Sequence, residues 1–246
     1  MGAGGGRLGA DDRRHRLFRR RPLQGGEKIG DEKRIELRRA AEEVRYLLDR
    51  GYPSGPAVRF VSDHRRLPRE DRFVLTRVAV PSAVARSRRK KRTPINELSG
   101  RTVAVDGYNV LITVESLLAG APVYLCDDGF LRDVRGIFRR YHLSDITDQA
   151  LSEIFSLLKE SGVGGAMVLL DQQISRSGEL ASEIRERMAE LGVLGSAKTA
   201  PDVDRRLKRA KSPVATGDGT IIDASAEAVD IPGEVANRRG IEPIIL

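Results

Sequence analysis

Cysteine and histidine are scarce in this sequence. Its 246 residues include one cysteine, Cys126, and three histidines, and tryptophan is absent. A single cysteine excludes an internal disulfide and any zinc site built from several cysteines. The chain also lacks a Gly-x-Ser-x-Gly elbow and a Walker loop. We therefore do not expect a serine hydrolase or a P-loop NTPase.

Long hydrophobic runs are absent as well. No stretch approaches the ~18 uninterrupted apolar residues that a membrane span requires. The first residues lack the apolar segment of a secretory signal. With 40% apolar and 32% charged residues, the composition is that of a globular protein. We expect a cytoplasmic location and no membrane partner.

Positive charge is abundant but unevenly distributed. Residues 1–100 contain 26 Lys and Arg against 13 Asp and Glu, a net charge of +13. Residues 101–246 contain 17 against 22, a net charge of −5. A basic module joined to an acidic one favours contact with phosphate backbones. The other interpretation is a solubilising tail and a solvated helix face.

The basic half divides into a tail and a helical unit. Residues 1–30 are rich in Gly and Arg without periodicity, which predicts a flexible tail. Residues 31–84 predict a small all-α domain, which either reads nucleic acid or simply packs. Shorter helices are expected at 56–63 and 68–80, the second with proline near its first position. The first helix is indicated by apolar residues at spacings of three and four, namely Leu37, Ala41, Val44 and Leu48.

A basic linker is predicted at residues 85–100, because the segment shows no apolar face. It either binds phosphates or stays hydrated. The candidate nucleic-acid-binding side chains in it are Arg86, Arg88, Arg89, Lys90, Lys91 and Arg92.

Residues 101–246 predict an α/β domain with a mostly parallel sheet covered by helices on both faces. Short apolar runs alternate there with longer amphipathic stretches, as in that architecture. The expected strands are Val103–Val105, Ala166–Leu170, Leu194–Lys198, Val214–Thr216 and Pro243–Leu246.

Acidic residues follow several of these strands. Asp106, Asp171 and Asp218 come at three strand ends, and Asp204 opens a helix between two strands. Ligands of such sheets bind beyond the carboxyl ends of the strands. Clustered carboxylates repel unless a cation neutralises them, and oxygen ligands suit Mg²⁺ or Mn²⁺. Asn109, about one turn past Asp106, is suited to orient a carboxylate without adding charge.

Each acid also has a structural interpretation, since Asp is common at helix N-caps and turns. This applies to Asp204, and equally to the polar group in PVYLCDDGFLRDVRG, residues 122–136. There Asp127, Asp128 and Asp133 either add to the metal site or build a turn and a helix cap. The combination of Asp106, Asp204 and Asp218 is what predicts the metal site.

The stretches VAVDGYNVLI, DVDRRL and VATGDGTIID resemble the PIN-like nucleases, particularly the NYN domains. The resemblance covers about 101–246 and implies catalytic metal-ligand roles for Asp106, Asp204 and Asp218, supported by Asn109. It departs at Thr220, where NYN domains usually have a second acid, and Asp223 is the nearest substitute.

The whole chain, including LRRAAEEVRYLLDRGYP and CDDGFLRDV, also resembles the prokaryotic "domain of unknown function 434" proteins. That family pairs a small helical domain with a PIN-like one. Its activity is not established.

The resulting functional hypothesis is a Mg²⁺- or Mn²⁺-dependent endoribonuclease with RNA as its partner. Metal ions would polarise the phosphodiester and lower the pKa of the attacking water, so no protein nucleophile is needed. The alternative is a catalytically inactive PIN-like module that binds RNA or protein. A phosphatase of the haloacid dehalogenase type is disfavoured because Tyr108 stands where its second Asp is required.

Overall fold

The computed structural model describes residues 30–134 and 141–246, so the predicted tail lies outside it except for Gly30. The helical unit expected at the start of the chain is confirmed. It consists of α1 (Asp31–Asp49), α2 (Ser54–His64) and α3 (Arg69–Val78). The apolar face predicted for α1 is wholly buried.

The basic segment at residues 85–100 differs from the predicted linker. It forms helix α4 (Ser82–Lys91) and a short 3₁₀ turn, η1 (Ile95–Leu98). Ala85 is the one buried residue of α4, and so small a side chain leaves no visible apolar periodicity. The helix is held instead by polar contacts with distant parts of the chain.

The second part of the described chain is an α/β domain. Its strands are β1 (Thr102–Asp106), β2 (Val123–Leu125), β3 (Leu131–Asp133), β4 (Gly165–Asp171), β5 (Gly195–Ala200), β6 (Val214–Ala215) and β7 (Ala228–Val229). Its helices are α5 (Gly107–Leu118), α6 (Asp145–Glu160), α7 (Ser177–Leu191), α8 (Val203–Lys208), α9 (Gly219–Ala224) and α10 (Ile231–Arg239).

Five of the strands form one parallel sheet in the order β5-β4-β1-β6-β7. Helices α5, α6, α7 and α10 share a hydrophobic cluster with one face, and α8 and α9 share another with the opposite face. The predicted parallel α/β architecture is confirmed. Among residues 30–134 and 141–246, no helix is long and apolar enough to cross a membrane.

Two features differ from the predicted strands. Residues 243–246 do not join the sheet, because Ile244 makes only a single bridge to Tyr124. Strands β2 and β3 instead form a separate antiparallel hairpin, which the sequence did not predict. Tyr124 and Leu246 pack with the apolar faces of α1, α2 and α3 in one buried cluster. The hairpin therefore joins the helical unit to the α/β domain.

Candidate functional site

Asp106 is the last residue of β1, and side-chain alternation along the strand decides which way it points. Ala104 packs in the cluster with α8 and α9, so Asp106, two residues on, shares that face. Leu169 of β4 packs in the same cluster, which gives Asp171 the same orientation. Asp106 is paired in register with Leu169. The two acids therefore lie at one edge and on one face of the sheet.

Gly107 allows α5 to begin directly beside β4. A Cβ at this position would lie 2.5 Å from a methyl group of Leu170 and 2.9 Å from the carbonyl oxygen of Leu169. Any larger residue would push the helix away from the sheet. The close start of α5 brings Tyr108 and Asn109 to the edge where Asp106 lies.

Thr216 connects Asp106 to the loop after β6. Its hydroxyl donates a hydrogen bond to Asp106 Oδ2 at 2.8 Å and accepts one from the Asp218 N–H at 3.0 Å. Asp218 in turn caps α9, since its Oδ1 accepts hydrogen bonds from the N–H groups of Thr220 at 2.7 Å and Ile221 at 3.2 Å. Thr216 was missed by sequence reasoning. Its signal is a hydroxyl residue two places before a strand-end acid.

Asn109 supports the same loop. Its Oδ1 accepts a hydrogen bond from the Gly217 N–H at 2.6 Å. The sequence predicts that Asn109 orients a carboxylate with its side chain. In the structure that side chain holds the backbone just before Asp218, so it positions this acid indirectly.

Asp204 lies in the first turn of α8 and is exposed. Its carboxylate accepts no hydrogen bond and forms no ion pair with the residues that the structure describes, whereas Asp202 pairs with Arg206 at 2.6 Å. Asp171 has one oxygen engaged, because its Oδ1 accepts a hydrogen bond from the Gln173 N–H at 2.8 Å.

Asp106 and Asp218 differ in their electrostatic environments. Burial raises the pKa of Asp106 to about 7, against the Thr216 hydrogen bond, and the charges of Asp218 and Asp204 add to the rise. Burial also acts to raise the pKa of Asp218, but the hydrogen bonds from Thr220 and Ile221 outweigh it and hold that pKa below its usual value. Of these two acids, Asp106 is therefore the one whose charge is less compensated.

These side chains line an open cleft of about 850 Å³ at the carboxyl edge of the sheet. Five predicted site residues lie in its wall: Asp106, Asn109, Asp171, Asp204 and Asp218. Asp202, which precedes α8, also lines the cleft. Sequence reasoning missed the remaining polar and charged members, which are Arg77, Tyr108, Gln173 and Arg205. Arg77 comes from α3, so the helical unit contributes a cation to a cleft of the α/β domain.

The acids of the β2–β3 hairpin lie outside this cleft. Arg45 of α1 donates hydrogen bonds to both carboxylate oxygens of Asp127, the shortest at 2.7 Å. Asp128 is completely buried and forms a bidentate pair with Arg132 at 2.7 and 2.8 Å. Burial acts to raise the pKa of Asp128, but Arg132 and Arg88 outweigh it and lower that pKa. Of the two interpretations of this segment, the geometry matches a structural turn.

Two further candidates are also engaged elsewhere. Asp133 is buried and accepts a hydrogen bond from the Thr113 hydroxyl at 3.1 Å. Asp223, considered as a substitute for the acid absent at Thr220, pairs with Arg88 at 2.7 Å. Neither residue lines the cleft.

Four of the six side chains of the basic run are occupied by contacts within the chain. Arg88 pairs with Asp128 and Asp223, and Arg89 Nε donates a hydrogen bond to the carbonyl oxygen of Asp127 at 2.8 Å. Lys91 Nζ donates to the carbonyl oxygens at the end of α9. The three side chains therefore bind α4 to the hairpin and to α9. Arg92 forms ion pairs with Asp230 at 3.7 Å and Glu234 at 3.9 Å. Predicted roles in nucleic-acid binding therefore remain for Arg86 and Lys90.

The oxygen donors of the cleft suit a divalent cation, but the described side chains are not already arranged as its ligands. Within the described part of the chain, no three His, Cys, Asp or Glu side chains converge closely enough to hold a metal. Asp106, Asp204 and Asp218 nonetheless supply only oxygen donors, and their repulsion helps raise the pKa of Asp106. Because Asp204 is exposed and unbonded, its side chain is free to change rotamer.

Comparisons with known proteins identify two matched segments. Residues 95–234 match the family described as Domain of unknown function (DUF5616), and residues 36–91 match that described as Protein of unknown function (DUF434). An uncharacterised protein of Methanocaldococcus jannaschii is 33% identical over 205 residues, covering 80% of this chain and 98% of that relative. No solved structure matches the chain. The predicted resemblance to the 434 family is confirmed for residues 36–91, while that to PIN-like nucleases stays a prediction.

Proposed function

The chain belongs to the family described as Domain of unknown function (DUF5616). For this chain we propose a metal-dependent nuclease that acts on RNA. The observation that carries the proposal is the meeting of Asp106, Asp204 and Asp218 in one cleft from three separate elements. An open cleft lined by several carboxylates attracts a hard divalent cation, and through it a phosphodiester.

Mg²⁺ or Mn²⁺, held by Asp106, Asp204 and Asp218, would neutralise charge on the phosphodiester and make water more acidic. The remaining residues keep these acids in place. Thr216 fixes the Asp106 carboxylate by its hydroxyl, and Asn109 fixes the backbone before Asp218. The resemblance of the three motifs to PIN-like and NYN nucleases supports the same assignment.

A second candidate is an inactive module that binds RNA or protein. It is favoured by Thr220, whose hydroxyl donates a hydrogen bond to Asp218 at 2.8 Å in the position where NYN domains usually have another acid. The absence of a preformed three-ligand cluster in residues 30–134 and 141–246 points the same way. This candidate predicts RNA binding without cleavage.

The proposal is tested by cleavage of a mixed RNA pool in Mn²⁺ or Mg²⁺ and in EDTA. We expect the wild type to cleave only with metal, and Asp106→Asn to lose that cleavage because an amide cannot replace the charge. Asp63→Asn is a matched control, since Asp63 lies on α2 in an exposed pair with Arg72. Equal, EDTA-resistant cleavage by wild type and Asp106→Asn would show that the activity does not belong to this site.

A further inference from the structure

Tyr108 carries a buried hydroxyl that has no hydrogen-bond partner among the described residues. The side chain is only 4% exposed. Its ring is held edge-on against Tyr141 at a centroid distance of 5.3 Å. The Tyr141 hydroxyl donates a hydrogen bond to Glu115 at 2.6 Å. The ring is therefore fixed while its polar end is unused, and buried polar groups are otherwise nearly always paired.

Tyr108 belongs to the wall of the cleft, together with residues at and after the end of β4. Tyr108 lines the cleft together with Asp171, Gln173 and Ile174. The negative charge of Asp171 acts on the phenol, to which Asp171 is not hydrogen-bonded.

Asp171 has acceptor capacity to spare. Its Oδ1 is engaged by the Gln173 N–H, and Oδ2 accepts no hydrogen bond from the residues that the structure describes. A proton donor and a carboxylate acceptor therefore line the same cleft. A phosphate would be repelled by Asp171, whereas a hydroxyl group can accept from the phenol and donate to the carboxylate.

We infer that Tyr108 and Asp171 form a subsite for the ribose 2′-hydroxyl, which distinguishes RNA from DNA in this cleft. The 2′-hydroxyl is both donor and acceptor, and it is the group that deoxyribose lacks. This inference rests on the proposed function, from which it takes its nucleic-acid substrate, and it specifies which nucleic acid is accepted.

The test is the affinity of the full chain for an RNA oligonucleotide and for the DNA oligonucleotide of the same base sequence, measured by anisotropy in EDTA. We expect the wild type to prefer RNA. Tyr108→Phe should weaken RNA binding about 3- to 10-fold, as for the loss of one hydrogen bond, and leave DNA binding unchanged. Tyr52→Phe, which removes a hydroxyl from an exposed tyrosine, should change neither affinity.

Melting temperature provides an independent readout. Tyr108→Phe keeps the ring and removes the unpaired hydroxyl, so the variant should melt at the wild-type temperature or above it. A lower melting temperature would mean that the hydroxyl has a structural partner, and the inference would be wrong. It would also be wrong if the wild type showed no RNA preference, or if Tyr108→Phe retained the full preference.

Failure of the inference and failure of the proposed function are separable. Metal-dependent cleavage of RNA and DNA oligonucleotides at equal rates, with no effect of Tyr108→Phe on either, would leave the nuclease in place and remove the subsite. An RNA preference that Tyr108→Phe abolishes, in a protein without cleavage, would leave the subsite in an RNA-binding module.

Discussion

Asp106 and Asp218 lie at neighbouring strand ends, yet their surroundings shift their acidities in opposite directions. Asp218 receives hydrogen bonds from Thr220 and Ile221 and caps α9, so its charge is stabilised by the fold itself. Asp106 receives a hydrogen bond from the Thr216 side chain but is buried beside other carboxylates. The ionised form of Asp106 is therefore the one that a bound cation would stabilise more.

The pKa of Asp106 makes a pH-dependent prediction for Asp106→Asn without metal. A folded-state pKa of about 7, above the ordinary value of 3.8, means that protonated Asp106 stabilises the fold at low pH. That stability is lost as pH rises from about 4 through 7. The variant should therefore melt higher than wild type at pH 8 in EDTA, by several degrees, and the gap should shrink toward pH 4.5.

Thermal melting across this pH range, in EDTA, checks the expectation. Asp63→Asn, the exposed control, should track the wild type at every pH. A melting-temperature difference for Asp106→Asn that is negative, or constant with pH, would show that the Asp106 carboxylate is not destabilised by its surroundings.

The β2–β3 hairpin contacts the loop that carries Asp218, one of the cleft acids. Arg132 is nearly buried, forms its bidentate pair with Asp128, and its Nε donates a hydrogen bond at 2.5 Å to the carbonyl oxygen of Gly217, next to Asp218. Asp128 is also bonded by Arg88 of α4. The polar group thus connects the hairpin, α4 and the loop that carries Asp218.

Removing a buried member of this polar group should lower the free energy of unfolding far more than removing an exposed member. Asp128→Ala leaves the buried charge of Arg132 without its carboxylate partner, which costs on the order of 3–5 kcal/mol of unfolding free energy. Asp223→Ala removes an exposed partner of Arg88 and should cost about 1 kcal/mol or less. Urea unfolding measures the free energy of unfolding of both variants. Similar decreases for the two would contradict a structural role for the buried Asp128–Arg132 pair.

The elements were predictable where apolar runs or periodicity are long. Strands β1, β4, β5 and β6 follow such runs, and α1 shows its face directly. Helix α4 could not be predicted, because what holds it is long-range pairing of Arg88, Arg89 and Lys91 rather than an apolar stripe. Strands β2, β3 and β7 were not predicted, because two or three residues carry little pattern; β6, also two residues long, lies within the predicted strand Val214–Thr216.

In the whole molecule, the helical unit and the α/β domain both contribute side chains to the cleft. The cleft acids Asp106 and Asp218 were predictable, since parallel strands deliver their ends to one edge. Arg77 was not, because its place depends on how the helical unit packs on the hairpin and sheet. It lines the cleft, and its charge helps lower the pKa of Asp218. Arg77 makes no hydrogen bond or ion pair with the residues that the structure describes.

We therefore expect Arg77 to contribute directly to nucleic-acid affinity. A carboxylate-lined cleft repels a polyanion, so cations at its wall must offset that repulsion. Arg77→Ala should weaken RNA binding and reduce the slope of log affinity against log salt by about 0.7, as for the loss of one phosphate contact on a single strand. Arg59→Ala, which changes an exposed arginine of α2 outside the cleft, is the control. Equal slopes for wild type and Arg77→Ala would exclude this role.

The central claim, that the acids of this cleft cleave RNA with a divalent cation, is tested most directly at Asp204. Because Asp204 is exposed and unbonded within the described residues, Asp204→Asn should fold and melt like the wild type. The measurement is the single-turnover rate of RNA cleavage in saturating Mn²⁺. We predict that this rate falls at least about 100-fold, since one charged ligand of the proposed metal ion is removed. Cleavage at the wild-type rate by a stably folded Asp204→Asn would contradict the account.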